Sequence, residues 1–326
     1  MPDRVAIVIP TWNRSEMLAR TLESLRGQSY PVERVIVADN GSTDDAAGAA
    51  RRAGAQVISL GRNAGFAAAV NRGIREAGGA DYIGILNNDV TLDTNWLLHL
   101  IGRLESSGAW FAAGKLLDAR AHGRMDGAFD AICRGGCALR CGHGRPDSTV
   151  WNQGRTIQLA PLTAALFRAR VFERVGLLDE RFESYLEDVD FGLRCGEAGL
   201  EGVYVPEAVA YHEGSGTLGR WHPETVRRIA RNQLLLVAKH YPPGWILRYG
   251  WSVFIAQTLW GFVALRHGAL FSYLVGKAEG LRQFRKTRGG ASSGFPAILE
   301  QSEKNLHDIQ ELTGFDWYWR LYFALT

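Results

Sequence analysis

The chain has 326 residues, 46% hydrophobic and 22% charged, with a formal net charge of +3 at pH 7. That is the make-up of an ordinary globular protein with enough apolar side chains for a proper core, and the charge is too small to argue for a nucleic-acid partner. At about 100–200 residues per domain, the length suits one large α/β unit or one domain with a sizeable extension.

The opening MPDRVAIVIP carries no secretory pattern and reads as a buried strand over Val5–Ile9, ended by Pro10. We therefore expect a cytoplasmic protein whose four cysteines (Cys133, Cys137, Cys141 and Cys195) stay reduced. Ser15–Arg26 follows with helical spacing, placing Leu18, Leu22 and Leu25 on one face. Arg34–Ala38 is a second strand, broken by Asp39-Asn40-Gly41-Ser42, and a small-residue helix leads to a third strand at Gln56–Leu60. Ala64–Glu76 predicts another helix and Tyr82–Leu86 a fourth strand. Strands alternating with helices imply a parallel sheet covered on both faces.

From Lys115 to about Arg155 the periodicity fails, and the Gly-, Arg- and Asp-rich stretch predicts a long functional loop. Regularity returns with a strand-like run at Leu162–Phe167, helices at Arg170–Val175 and Glu187–Ala198, and a strand at Gly202–Val205. Beyond Pro223 the chain reads as helical nearly to its end, interrupted at Pro242-Pro243 and Gly289–Gly294.

Ligands on parallel α/β sheets sit at the carboxyl ends of the strands. Here those ends carry Pro10-Thr11-Trp12-Asn13-Arg14, Asp39-Asn40-Gly41-Ser42-Thr43-Asp44, Gly61-Arg62-Asn63-Ala64-Gly65 and Asn87-Asn88-Asp89. Any one of them is ordinary turn chemistry; four on one sheet edge suit a nucleotide. Asp39 would accept from a base ring or ribose, Thr11 and Asn13 would line the base pocket, and Arg62 would meet a phosphate or base edge. Asp89 is a hard-oxygen ligand for Mg²⁺ or Mn²⁺ bridging a diphosphate.

VAIVIPTWNR, VIVADNGSTDD, GRNAGFAAAVNRGI and ILNNDV, then FERVGLLDERFESYLEDVDFGLRCGEAG and VPEAVAYHEGSGT, resemble in order and spacing the inverting family 2 glycosyltransferases with the GT-A fold. The rhamnosyltransferase-like bacterial members that build cell-surface polysaccharides are the nearest in appearance, and the likeness covers about the first 240 residues. It implies a Rossmann-like, mostly parallel sheet flanked by helices. Residues 1–240 would form the catalytic domain, with 1–114 binding the nucleotide sugar and 115–240 the acceptor, and 241–326 a helical extension. Pro10, Thr11, Asn13, Asp39, Arg62, Asn63 and Asn88 become candidate donor-binding residues.

The family's Asp-x-Asp metal motif stands here as Asn87-Asn88-Asp89, with one acid lost and the metal's affinity in question. The resemblance adds His212 to Asp89 and Asn87 as a ligand of Mg²⁺ or Mn²⁺, and implies that the Gly-rich segment after His212 closes over the diphosphate. It also makes Asp188 the base that takes the acceptor's proton, with Glu187 beside it orienting or substituting. By position alone both acids could simply complement the helix dipole. Asp190 faces elsewhere and reads as structural.

The partners implied are a nucleotide-diphosphate sugar, with uracil or thymine as base, and a glycan or lipid-linked acceptor. A nucleotidyltransferase would want a Gly-rich, Lys-bearing phosphate loop near the first strand, and IPTWNRSE is not one. A catalytically degenerate sugar-nucleotide or polysaccharide-binding protein is the non-enzymatic alternative, supported by Asn87. Cys133, Cys137, Cys141 and His143 lack the usual Cys-x₂-Cys zinc knuckle and have helical spacing. Arg134, Arg140, Arg145 and Asp147 in the same stretch are expected to meet sugar or acceptor.

Tyr249–Leu265 is uncharged but shorter than a membrane span. It reads either as a core or dimer helix, or as a helix lying on the inner membrane surface. In the second case Trp245, Trp251 and Trp260 would sit at the headgroups and the basic run Arg282–Arg288 would meet anionic lipid. The sequence leaves these readings open.

Overall fold

A computed structural model describes residues 3–214, 219, 221–290 and 294–326. In chain order the first half runs β1 (Val5–Thr11), α1 (Ser15–Arg26), β2 (Arg34–Asp39), α2 (Ala46–Arg52), β3 (Gln56–Ser59), α3 (Phe66–Glu76), β4 (Tyr82–Leu86), β5 (Val90–Leu92), α4 (Trp96–Ser107) and β6 (Phe111–Asp118). Three short strands follow, β7 (Met125–Gly127), β8 (Asp130–Ile132) and β9 (Ala138–Arg140), then β10 (Arg155–Ile157), β11 (Ala164–Arg168), α5 (Arg170–Val175), α6 (Glu187–Glu197) and β12 (Gly202–His212). Five helices close the chain: α7 (Pro223–His240), α8 (Trp245–Arg266), α9 (Leu270–Thr287), α10 (Phe295–Thr313) and α11 (Trp317–Leu325).

The main sheet has the order β10-β12-β6-β11-β4-β1-β2-β3. Its β4-β1-β2-β3 block is parallel, as expected of alternating strands and helices. β1 is buried along its whole length because consecutive residues serve opposite faces. Val5, Ile7 and Ile9 join the core with Leu18, Leu22 and Leu25 of α1, while Ala6 and Val8 join that of Val70 and Ile74 of α3. Past β4 the sheet becomes mixed, since β11 runs antiparallel to both β4 and β6, and β12 lies parallel to β6.

Two registers position the functional edge. Thr11 stands opposite Asp39 where β1 and β2 end together. β12 runs well past the predicted Val205, through a bulge between Val205 and Val209, so that His212 stands opposite Val90, the residue after Asp89.

The stretch 115–155, expected as a loop, carries short strands and is buried through its centre, residues 125–133. β7 adds to the main sheet and β8–β9 form a separate hairpin. Strands of three residues are too short to show a period of two, which is why the pattern looked absent. At the hairpin's tip Gly135 lets α8 come close: a Cβ there would stand 2.2 Å from the Cβ of Ala256. The terminal helices share this core, with Leu259, Leu306, Trp319 and Tyr322 packed alongside Met125, Phe129 and Cys133. Among the described residues no helix is long and apolar enough to cross a membrane.

Candidate active site

The loop after β1 turns through two left-handed non-glycine residues, Asn13 (φ 61°) and Arg14 (φ 65°). Such backbone is costly and persists where surrounding bonds impose it. Here they do. The Asn13 N–H donates to Ser42 Oγ at 2.8 Å, and its side-chain oxygen accepts from the Thr43 N–H at 2.7 Å. Asn88 Nδ2 donates to Thr11 Oγ1 at 2.7 Å and to the Asn13 carbonyl at 3.2 Å. Asp39 is buried and accepts the Ser42 N–H at 3.0 Å. Asn40 ties in the third strand end through Asn63 and the Ala64 N–H.

The structure thus brings Pro10, Thr11, Asn13, Asp39, Asn63 and Asn88 together at one sheet edge. Arg62 lies on its rim, with an exposed side chain. Gly41 (φ +78°) packs on the Arg62 backbone, where a Cβ would approach the Arg62 Cα to 2.6 Å.

Beside this edge three side chains form a row. His212 Nε2 lies 3.2 Å from Asp89 Oδ1, and its Nδ1 lies 2.9 Å from Asp126 Oδ2. Burial disfavours the charged ring, but the two flanking carboxylates outweigh it and raise the His212 pKa to about 9. Burial likewise acts against the Asp126 charge. The hydrogen bonds from His143 and His212 prevail and hold that carboxyl well below its usual range.

A carboxylate behind a histidine fixes ring orientation and raises basicity toward whatever the other nitrogen faces. The Asp89 oxygen is a hard donor that suits Mn²⁺ or Mg²⁺, and His212 Nε2, bonded to Asp89 in the metal-free protein, would join it as a ligand on releasing its proton. Asn87 is anchored through its N–H to the Thr163 carbonyl and has no side-chain bond within the row.

Across the site, α6 begins after three left-handed non-glycine residues, Glu183 (φ 59°), Tyr185 (φ 74°) and Leu186 (φ 66°). Asn232 of α7 holds that turn by donating to the carbonyls of Phe182, Ser184 and Tyr185. The turn presents Glu187 and Asp188 at the helix start. Burial raises the Asp188 pKa, opposed by the nearby Arg140 guanidinium. Burial raises that of Glu187 further, and its Oε2 is buried without a hydrogen-bond partner. Asp190, fully buried, points away into a cluster with buried His240 and half-buried Lys239 and Arg194, in keeping with a structural part.

Arg140 links the two sides. It lies 3.9 Å from Asp188, 3.6 Å from Asp126 and 3.3 Å from Asp130, and donates to Thr163 Oγ1 at 2.9 Å. Burial pushes the Asp130 pKa up to about 7, with Arg140 opposing and Asp188 adding to the rise.

Asp126 and Asp130 were missed in the sequence. The available signal was two acids four apart inside the apolar run Met125–Ile132. Of the four charged residues expected to meet substrate, only Arg140 reaches the site. Arg134 pairs with Glu303, Arg145 with Asp316, and Asp147 with Lys115, all structural ties. Cys133, Cys137 and Cys141 are buried free thiols in and beside the β8–β9 hairpin rather than on a helix, and His143 bonds the Asp126 carbonyl. Among the described residues these side chains do not converge as a metal site. The Gly-rich segment expected to close after His212 falls on 215–218, outside the described residues.

Two family models match the chain: "Glycosyl transferase family 2" over residues 6–125 and "Glycosyl transferase family group 2" over residues 152–275. An N-acetylglucosaminyl-diphospho-decaprenol L-rhamnosyltransferase of Mycobacterium tuberculosis is 30% identical over 292 residues, covering 82% of this chain and 92% of that protein. Among solved structures, GalNAc-T7 with UDP, GalNAc and Mn²⁺ superposes with a TM-score of 0.62 at 14% identity, over 96% of this chain and 58% of that one. The Pyrobaculum calidifontis mannosyltransferase PcManGT with GDP-Man and Mn²⁺ gives 0.54 at 14% identity, over 99% and 87%. These likenesses establish the GT-A glycosyltransferase fold. With the order of motifs, the sheet and the extent of the rhamnosyltransferase match agreeing, the chain belongs to glycosyl transferase family 2 and is a glycosyltransferase.

Proposed function

We propose that this enzyme transfers a sugar, rhamnose first among the choices, from a dTDP- or UDP-sugar to a hydroxyl of a lipid-linked glycan or cell-surface polysaccharide acceptor. The observation that carries the reading is the convergence on Arg140 of the Asp89–His212–Asp126 row and of Asp188. The choice of sugar and acceptor rests on the mycobacterial relative, which is by name a rhamnosyltransferase acting on a lipid-linked N-acetylglucosamine.

In this reading Pro10, Thr11, Asn13, Asp39 and Asn88 hold base and ribose, while Arg62 and Asn63 meet the ribose or phosphates from the rim. Asp89 and His212 would hold Mg²⁺ or Mn²⁺, with the Asn87 amide as a weaker third donor, and the bound ion would supply positive charge toward the departing diphosphate.

Asp188 accepts the proton of the acceptor hydroxyl. The oxygen attacks the anomeric carbon from the face opposite the diphosphate, the sugar–phosphate bond breaks, and the configuration inverts. A carboxylate whose pKa is raised by burial is a better base than an exposed one. Glu187, buried beside it, orients the acceptor. Donor and acceptor would meet at the cytoplasmic face of the membrane.

The test couples two measurements. Mn²⁺-dependent binding of UDP, dTDP and their sugars identifies the donor, and transfer to polyprenyl-diphosphate-linked N-acetylglucosamine is then compared in wild type and Asp188→Asn. Transfer should fall about 10²–10⁴-fold while donor affinity stays within twofold. Preserved turnover in Asp188→Asn sinks the base assignment. Failure of every uridine and thymidine nucleotide to bind sinks the donor reading.

A further inference from the structure

Exposed large apolar side chains are concentrated in one part of the molecule. Among the described residues all but three of them, Leu98, Tyr185 and Tyr211, lie between Ile246 and Leu325. On α8 they recur at helical spacing as Leu247, Trp251, Phe254, Phe262 and Leu265, while Val253, Ala256, Leu259 and Ala264 on the other side are buried in the core. Leu247 is 96% exposed and Trp251 61% exposed. A helix that borders solvent ordinarily turns polar residues outward. This one exposes an apolar stripe from Leu247 to Leu265, about 27 Å long at 1.5 Å per residue, opposite its buried side.

The exposed stripe continues onto a neighbouring helix. Trp317, Leu321 and Leu325 recur every fourth residue on α11, and Trp251 Nε1 donates to the Leu325 carbonyl at 2.8 Å. α9 follows the α8 stripe with its own exposed Phe271, Leu274 and Leu281. Apolar surface on this scale marks an interface with something other than water.

The charges around it select the partner. Neither α8 nor α11 contains an acid, and the single acid of α9, Glu279, is engaged by Arg227. Arg266, Arg282, Arg285, Lys286, Arg288 and Arg320 are exposed, and among the described residues none of them forms an ion pair. A second copy of the chain docked through this face would set cation against cation. A surface of anionic headgroups over an apolar interior matches both features at once.

We propose that the outer faces of α8, α9 and α11 form a docking surface for an anionic lipid bilayer. The helices lie along the interface with Phe254 and Phe262 among the acyl chains, Trp251 at headgroup level and the arginines at the phosphates. None of them crosses the bilayer, in keeping with their length and composition. Of the three tryptophans expected at headgroups, Trp251 alone is in position, since Trp245 and Trp260 are half-buried against Tyr241 and Tyr273. Bilayer docking deepens the reading of a lipid-linked acceptor by placing the enzyme where such an acceptor resides. It does not depend on the assigned donor or base.

The experiment is vesicle co-sedimentation of the full chain, with no donor or acceptor, so that its outcome is separate from the transfer assay. Vesicles of phosphatidylcholine alone are compared with an equimolar phosphatidylcholine–phosphatidylglycerol mixture. Wild type should partition to the anionic vesicles at least tenfold better and lose that preference in high salt. The variant Trp251→Glu/Phe254→Glu/Phe262→Glu should lose at least tenfold in binding, and Arg282→Ser/Arg285→Ser/Lys286→Ser should lose the preference for anionic lipid. Both should keep wild-type far-ultraviolet circular dichroism and a cooperative thermal transition; if the triple-Glu variant misfolds, the Arg/Lys variant and the salt series carry the test. The proposal is overturned if folded wild type stays in the supernatant, or if it binds neutral vesicles equally well. A lipid-free dimer in light scattering that the triple-Glu variant abolishes would also overturn it, since the face would then belong to a second copy.

Discussion

Replacing Asp126 by Asn tests whether the row at the sheet edge is a metal-binding device or only a buried ion cluster. Asp126 makes no approach to Asp89 itself; it acts through the His212 ring, whose Nδ1 it holds at 2.9 Å while Nε2 faces Asp89 at 3.2 Å. Asn keeps a hydrogen-bond acceptor of the same shape but removes the charge. Partners of this kind behind a metal-bound histidine are worth about 10–100-fold in metal affinity, or about 1.4–2.7 kcal/mol at 1.36 kcal/mol per factor of ten.

The assay is calorimetric titration of Mn²⁺ in the presence of saturating UDP or dTDP, with the His212 ring followed by NMR in the metal-free protein. Mn²⁺ affinity, corrected for the proton the ring must release, should drop by that factor, and the ring's pKa should fall from about 9 toward its ordinary 6.5, since burial then opposes one carboxylate instead of two. Unchanged Mn²⁺ affinity together with a lowered His212 pKa would refute the metal role while leaving the ion cluster intact. If neither quantity changes, the His212–Asp126 geometry itself is wrong.

Three further outcomes follow from buried contacts. Gly41→Ala should destabilise the protein by about 1–3 kcal/mol and weaken donor binding, because the added Cβ must displace the Arg62 backbone; chemical denaturation and nucleotide titration read both, and wild-type values for each would exclude the contact. Glu187→Gln should change stability by less than about 1 kcal/mol, since burial raises the Glu187 pKa and a protonated carboxyl resembles the amide; a loss of several kcal/mol in urea would mean the group is ionised.

The Asp190 cluster should give stability a pH window. Burial works against Asp190, but His240 and its other partners lower its pKa below 3.8, so its contribution is complete above 3.8 and lost as pH falls through the folded value. Burial also works against the charged His240, whose pKa Asp190 nevertheless raises above 6.5, so that contribution is complete below 6.5 and lost as pH rises through the folded value. The stability gap between wild type and Asp190→Asn should therefore be greatest between those limits and narrow on either side, a profile that urea midpoints across pH would contradict by staying flat.

The parts of the fold legible in the sequence are those whose physics is local. β1 announces itself because a central parallel strand must be apolar on both faces, and Pro10, Asp39 and Asn87 mark strand ends because turn chemistry is confined to a few residues. Helix periods in α1 and α3 likewise need only one turn's spacing to show. The extension of β12 to His212 was not legible: Pro206 and Glu207 interrupt the apolar run, and a bulge that passes over them is specified by β5 and β6, which are remote in the chain.

The candidate site divides along the same line. Residues at strand ends, the acids heading α6 and Arg140 could be named in advance, Asp126 and Asp130 could not, and Asp126, Asp130 and Arg140 all sit on strands too short to carry a pattern. What places these three is mutual neutralisation. A half-buried arginine among Asp126, Asp130 and Asp188 is offset by their charges, and these more deeply buried acids are offset by it in turn. The same mutual dependence couples the two halves of the cleft. Asp126 bears on His212, Asp188 is the proposed base, and one guanidinium lies within 4 Å of both, so a change in charge at either end alters the field at the other. That is why the loop-like stretch between β6 and β10, blank to a periodicity search, holds the link between the metal-side row and the candidate base.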